Sequence, residues 1–93
     1  VKVGFLVLLA IYDAKVGLFL TPHFARSAAE GIRMFADEIG REGSQLQQHP
    51  EDFSLHRLGE LEQPTGVVVP DVAPTMLCTG IELVAREGLK VAQ

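Results

Sequence analysis

Tryptophan is absent, tyrosine and cysteine occur once each, and aromatic residues fill only 6% of the 93 positions. A single cysteine forms no internal disulfide framework, so the chain relies on packing and suits a reducing compartment. Cys78 stands in the apolar run TMLC, which reads as a buried structural thiol rather than a nucleophile. Basic residues are also scarce. Eight Lys and Arg face twelve Asp and Glu, for a net charge of −4. That balance argues against a basic coat built to neutralise phosphates, and the eight are scattered from Lys2 to Lys90. No apolar run approaches the ~20 residues needed to cross a bilayer. The longest, VKVGFLVLLAIY, leads into YDAKVG, which is turn chemistry rather than a cleavage pattern. It reads as a buried strand, and no membrane partner is expected.

What remains is a single domain over residues 1–93, short and apolar enough to build one core. A chain of this size hides roughly 60–65% of its unfolded surface. Pairing with a second copy would bury more, so a homodimer is expected.

Residues 3–12 are almost continuously apolar. Such a run suits a strand covered on both faces, or a central strand. Asp13 to Gly17 supplies a turn, Leu18 to Leu20 returns antiparallel, and Thr21-Pro22 ends the pairing. Ser27 and Glu30 form an S-x-x-E capping box. Ala28, Ile32, Phe35, Ala36 and Ile39 follow at helical spacing, which gives an amphipathic helix over 28–39. Arg33 and Asp37 are placed to pair on its outer side. Gly31 weakens the helix unless another backbone approaches there, and Gly40 marks a left-handed stop.

REGSQLQQ (41–48) reads as a loop. Pro50 with Glu51 and Asp52 makes a tight turn or one helical turn, the acids suiting an N-terminal end. Phe53 then anchors a strand over FSLHRLGEL, and its apolar parity changes near His56 to Gly59, as a bulge would produce. EQPTG, ending on Gly66, is a hairpin loop, and Val67 to Val69 forms the next strand, closed by Pro70 and Pro74. The tail from Thr75 is ambiguous, its helical character weakened by Gly80 and Gly88. The fold class is therefore α+β: a small, mainly antiparallel sheet of about four strands with one main amphipathic helix packed on one face.

Catalytic constellations are missing from the pattern. Glu51, Asp52, Glu60 and Glu62 fall on a turn and a solvated strand face, where nothing splits their pKa values. His23, His49 and His56 lack metal-ligand spacing. Ser54 and His56 share a strand face but lack an orienting acid and oxyanion donors. No phosphate-binding glycine loop occurs, and no cofactor, metal or enzymatic activity is expected. For binding, Phe24, Arg26, Arg33 and Arg57 are the candidates, because an aromatic beside Arg can stack on and neutralise single-stranded nucleic acid. The competing reading makes Phe24 a staple for the helix start and the Arg residues ordinary surface charge.

YDAKVG, TPHFARSAAEGIRMFADEI, HPEDFSLHRLGEL, PTG and LCTGIEL, in this order, resemble the small non-structural protein of gokushovirus-like microviruses, the phage ORF5 or VP5 family. The H-P-E-D-F corner placed after an R-x-F-x-D helix is the most specific part. Gly31 and the very apolar first strand depart from the pattern. The resemblance implies a non-enzymatic accessory protein of a single-stranded DNA phage, working in the host bacterial cytoplasm or associated with the virion. It implies binding to single-stranded or replicative-form phage DNA, in replication or in the switch to single-strand synthesis and packaging. The alternative is a protein–protein adaptor that contacts the replication initiator or procapsid without touching DNA.

Overall fold

The computed structural model describes residues 3–87. The apolar run becomes β1 (Phe5–Asp13), the long central strand of an antiparallel sheet. Two short pieces, β2 (Leu18–Phe19) and β3 (His23–Ala25), pair with the same side of β1 and act as one interrupted strand. On its other side β1 pairs with β4 (Phe53–Glu62), and β4 pairs with the edge strand β5 (Val67–Thr79). The expected sheet of about four strands is thus present, and the hairpin turn closes at Gly66, whose φ of +76° suits glycine and whose N–H donates to the Glu62 carbonyl.

The capped helix α1 (Ala28–Gly40) lies across one face of this sheet. Ser27 Oγ accepts from Glu30 N–H at 3.1 Å, and Glu30 reaches back to the backbone N–H of Arg26 at 2.9 Å, one residue before the cap. Phe35 and Ile39 are buried against Leu9 and Leu55, and Ile32 and Ala36 pack at the margin. Gly31 faces Leu9 so closely that a Cβ there would overlap Leu9 Cδ1. The approach that glycine permits is therefore by a side chain and not by a backbone.

Three expectations are corrected. The helix runs on through Gly40 and ends at Arg41, which is extended, so Gly40 is no left-handed stop. The supposed loop 41–48 contains a short helix, α2 (Gln45–Gln48), capped by Ser44 Oγ accepting from Gln47 N–H at 3.0 Å. Pro70 and Pro74 do not end β5, which continues to Thr79. An edge strand tolerates proline because its outer N–H groups face solvent. The ladder skips residues 71–74, since Gly59 pairs with Pro70 and Arg57 with Thr75. The bulge anticipated near His56 to Gly59 is present in both ladders of β4. At its centre Gly59 lies against the backbone of Val69 and Pro70, where no side chain fits.

The ambiguous tail is helix α3 (Gly80–Glu87), opened by a second reciprocal clasp. Thr79 N–H donates to Glu82 Oε1 at 2.9 Å and Glu82 N–H to Thr79 Oγ1 at 3.1 Å. Gly80 fits against the Pro50 carbonyl, and Leu83 enters the core beside the buried Cys78. Gly88 lies outside the described residues. HPEDF is a structural corner: buried Pro50 begins a single 3₁₀ turn (Pro50–Asp52), the Asp52 carbonyl accepts from Ala14 N–H at 2.9 Å, and Phe53 is in the core. Among the described residues no helix is long and apolar enough to cross a membrane.

Candidate functional site

Strand parity sorts the sheet into two faces. Val7, Leu9 and Ile11 of β1, with Phe53 and Leu55 of β4, point to the helices. Leu6, Leu8, Ala10 and Tyr12 therefore point the other way, opposite Leu61, Gly59, His56 and Ser54 in the β1–β4 register. Phe24 stands opposite Leu8, Phe19 opposite Tyr12 and Met76 opposite His56, so this second face extends across every strand. Among the described residues no helix covers it. Phe19, Phe24 and Met76 remain 42%, 43% and 57% exposed.

One end of this face is aromatic. The rings of Tyr12, Phe19 and His56 meet at centroid distances of 4.9, 5.2 and 5.9 Å. Ser54 Oγ lies 2.8 Å from His56 Nε2. Partial burial among these neighbours pushes the His56 pKa below its usual 6.5, because the charged imidazolium loses hydration. Among the described residues no carboxylate pairs with this ring, so the Ser–His contact lacks the third group of a nucleophilic triad.

The four nucleic-acid candidates do not converge. Phe24 is on the helix-free face and is no staple for the helix start, whereas Arg33 projects from α1 on the opposite side of the sheet. Arg26 is held by Glu30, Nε to Oε2 at 2.8 Å. Arg57 is held twice, by Asp71 at 2.9 and 3.3 Å and by Glu60 at 3.1 Å. The bulge creates this last cluster, since it swings 71–74 outward and brings Asp71 over Arg57. Arg41 is tied to Glu38 in the same way, and both arginines have their pKa raised by the carboxylates that accept from them. Arg33 makes no ion pair with Asp37.

His49, Glu51 and Asp52 place ligand atoms within 4.8 Å of one another at the HPED corner. His49 Nδ1 is 3.8 Å from Glu51 Oε2, and both side chains are well exposed. This is a solvated turn, in keeping with its structural reading. A shallow apolar hollow of about 380 Å³ lies between the 20–23 segment and α1, lined by Leu20, His23, Met34, Phe35, Glu38 and Leu46.

The far end of the β4–β5 hairpin is bare in a different way. Val67, Val68 and Val69 are 52%, 50% and 48% exposed. Successive strand residues point to opposite faces, so this arm lacks cover on both.

No curated protein and no solved structure matches the chain. A family model described as Phage ORF5 protein does match, over residues 6–83. That span runs from the first strand into the last helix and takes in the central strand, the capped helix, the HPEDF corner and the bulged hairpin, so the chain belongs to the phage ORF5 protein family.

Proposed function

We propose that this phage protein is a non-enzymatic accessory factor that acts in viral DNA replication, or in the switch to single-strand synthesis and packaging, by binding other phage proteins. The replication initiator and the procapsid are its partners in this reading, met in the host cytoplasm. The observation that carries it is the β4–β5 arm, where three consecutive valines are half exposed at a sheet edge while Arg26, Arg41 and Arg57 are spent on carboxylates. An apolar edge arm of this kind receives a protein strand or an apolar patch. Pro70 and Pro74 limit the stretch of edge that can pair, and the acidic net charge suits a basic protein surface.

The test is retention of the initiator or a procapsid protein from nuclease-treated extract of infected cells on immobilised protein. Retention should survive nuclease and be lost with V67K/V69K, whose side chains lie on the helix side of the arm. Retention that disappears with nuclease would show that DNA makes the bridge.

A second reading, direct contact with single-stranded DNA, is favoured by one observation. Phe19 and Phe24 are exposed on an open sheet face beside Tyr12 and His56, and bases stack on such platforms. Arg26, two residues from Phe24, is the nearest cation in sequence, and it already serves Glu30.

A further inference from the structure

We propose that the helix-free face of the sheet is a self-association surface, covered by the same face of a second copy of this chain. The inference shares Val68, opposite Leu61, with the valine arm, and stands whether or not Val67 and Val69, on the helix side of that arm, bind a partner.

The first argument is a mismatch between sequence and cover. β1 is apolar on both of its faces, the pattern of a strand buried on both sides. Among the described residues helices cover one face: Phe35, Ile39 and Leu83 all join the cluster around Leu9 and Leu55. The other face has no helix over it among the described residues: Phe24 and Met76 are well exposed and Leu8 and Tyr12 half-buried, while Ala10 is covered by its neighbours. A strand that faced water would alternate apolar with polar residues, and β1 does not.

The second argument is charge. A chain carrying −4 repels its own copy. Yet the paired positions across this face, Leu6–Leu61, Leu8–Gly59, Ala10–His56 and Tyr12–Ser54, include no Asp, Glu, Lys or Arg. The acids sit elsewhere: on α1, α3 and the HPED corner, at Glu42, at Asp13, Glu60 and Glu62 on the helix-side parity of β1 and β4, and at Asp71 on Arg57. A face without formal charge is complementary to itself, which a two-fold contact requires. It is poorly suited to a phosphate backbone.

The third argument is area. Nine residues of β1 span about 30 Å and four strand lanes about 19 Å, a plan area of about 600 Å² per copy. Stacking two such faces removes up to about 1,200 Å², the lower edge of the range of specific interfaces. Sheets stacked in this way pack about 10 Å apart with their inner side chains interdigitated. The alternative, edge-to-edge pairing along β5, is obstructed by Pro70, Pro74 and the stretch 71–74 that leaves the ladder. Face-to-face stacking leaves Val67 and Val69, on the helix side, free.

Sedimentation equilibrium of the full chain from low to high micromolar concentration tests this. The expected species has twice the 10.1 kDa chain mass. Phe24→Asp and Met76→Lys should each weaken the dimer by about 100-fold. Val72→Asp, equally apolar to charged but at a fully exposed position of β5 outside the ladder, should leave it unchanged. Circular dichroism confirms that each variant is folded. On the unaltered chain, isotope-filtered NMR of a labelled and unlabelled mixture should show contacts between the Met76 methyl of one copy and aromatic rings of the other. A monomer at every concentration overturns the proposal. So does a dimer that tolerates both face variants or lacks those contacts, or a monomer whose tyrosine fluorescence is quenched by single-stranded DNA.

Discussion

Replacing Gly31 by Ala sets two effects of opposite sign against each other at one atom. Helix propensity alone favours Ala by about 1 kcal/mol. The added methyl, however, would overlap Leu9 Cδ1 and lie 3.5 Å from Leu9 Cγ. Leu9 is fully buried among Phe35, Ile39 and Leu55 and has no solvent side to rotate into. Forcing a methyl into a packed core costs about 1–3 kcal/mol, so packing wins and G31A should destabilise by about 1 kcal/mol. Leu9→Ala alone opens a cavity worth about 3 kcal/mol. In the double variant the overlap is gone and the propensity gain returns, so its loss should be only about 2 kcal/mol. The sum of the two single losses would be about 4 kcal/mol, giving a coupling of about 2 kcal/mol. Urea unfolding of the four chains, followed by helix ellipticity at equal m-values, measures all of these. If G31A stabilises by the full propensity gain, or the cycle is additive within about 0.5 kcal/mol, α1 does not lie on Leu9 and the packing described here is wrong.

Three further outcomes follow from the same contacts. Ser27→Ala should cost about 1 kcal/mol in urea unfolding, with Ser27→Gly costing less, because one orphan N–H at the helix start loses its acceptor. Arg57→Met leaves Asp71 and Glu60 facing each other without their shared cation and should cost about 2 kcal/mol; thermal unfolding checks this, and Asp71→Met added to it should recover part of the loss. His56 has its folded pKa held below its unfolded value of 6.5, so the unfolded chain takes up the proton first. Stability should therefore be full above pH 6.5, fall as pH drops through that value, and level off below the folded pKa. His56→Phe should flatten that slope in paired urea titrations at pH 7.5 and 5.5.

The parts legible in the sequence were those set by local pattern. The 27–30 clasp and the spacing of Ile32, Phe35 and Ile39 marked α1, and the parity change around His56 marked the bulge. Pro50 with the acids after it marked the corner. One helix was read as a loop and another left ambiguous although the signals of both were present. Ser44 with Gln47, and Thr79 with Glu82, are the same kind of clasp as Ser27 with Glu30. Glycines and a short apolar stripe masked them, because Gly80 reads as a breaker until the Pro50 carbonyl is seen to occupy the space of its side chain. The extent of β5 was not legible either, since whether proline ends a strand depends on which edge it faces.

The candidate site was legible only in part. Phe24, Arg26, Arg33 and Arg57 were named as the binding candidates, but no local pattern announces that Glu30, Asp71 and Glu60 claim two of the cations. Asp71 is fourteen positions from Arg57 and reaches it only because the ladder skips four residues. The open face was visible in outline as a strand too apolar for one-sided cover. Which side the helices would take, and that all of them take the same side, is a property of the assembled core.

Direct affinity for DNA is the sharpest test of the claim that this phage protein works through protein contacts. Fluorescence anisotropy with single-stranded and duplex oligonucleotides at about 50 and 200 mM salt measures it, since phosphate contacts make affinity fall steeply over that interval. The account expects no salt-sensitive binding to either form in the micromolar range. Binding that weakens by a factor of about 10³ between the two salts, and that is reduced by Arg26→Ala or Phe24→Ala, would contradict it.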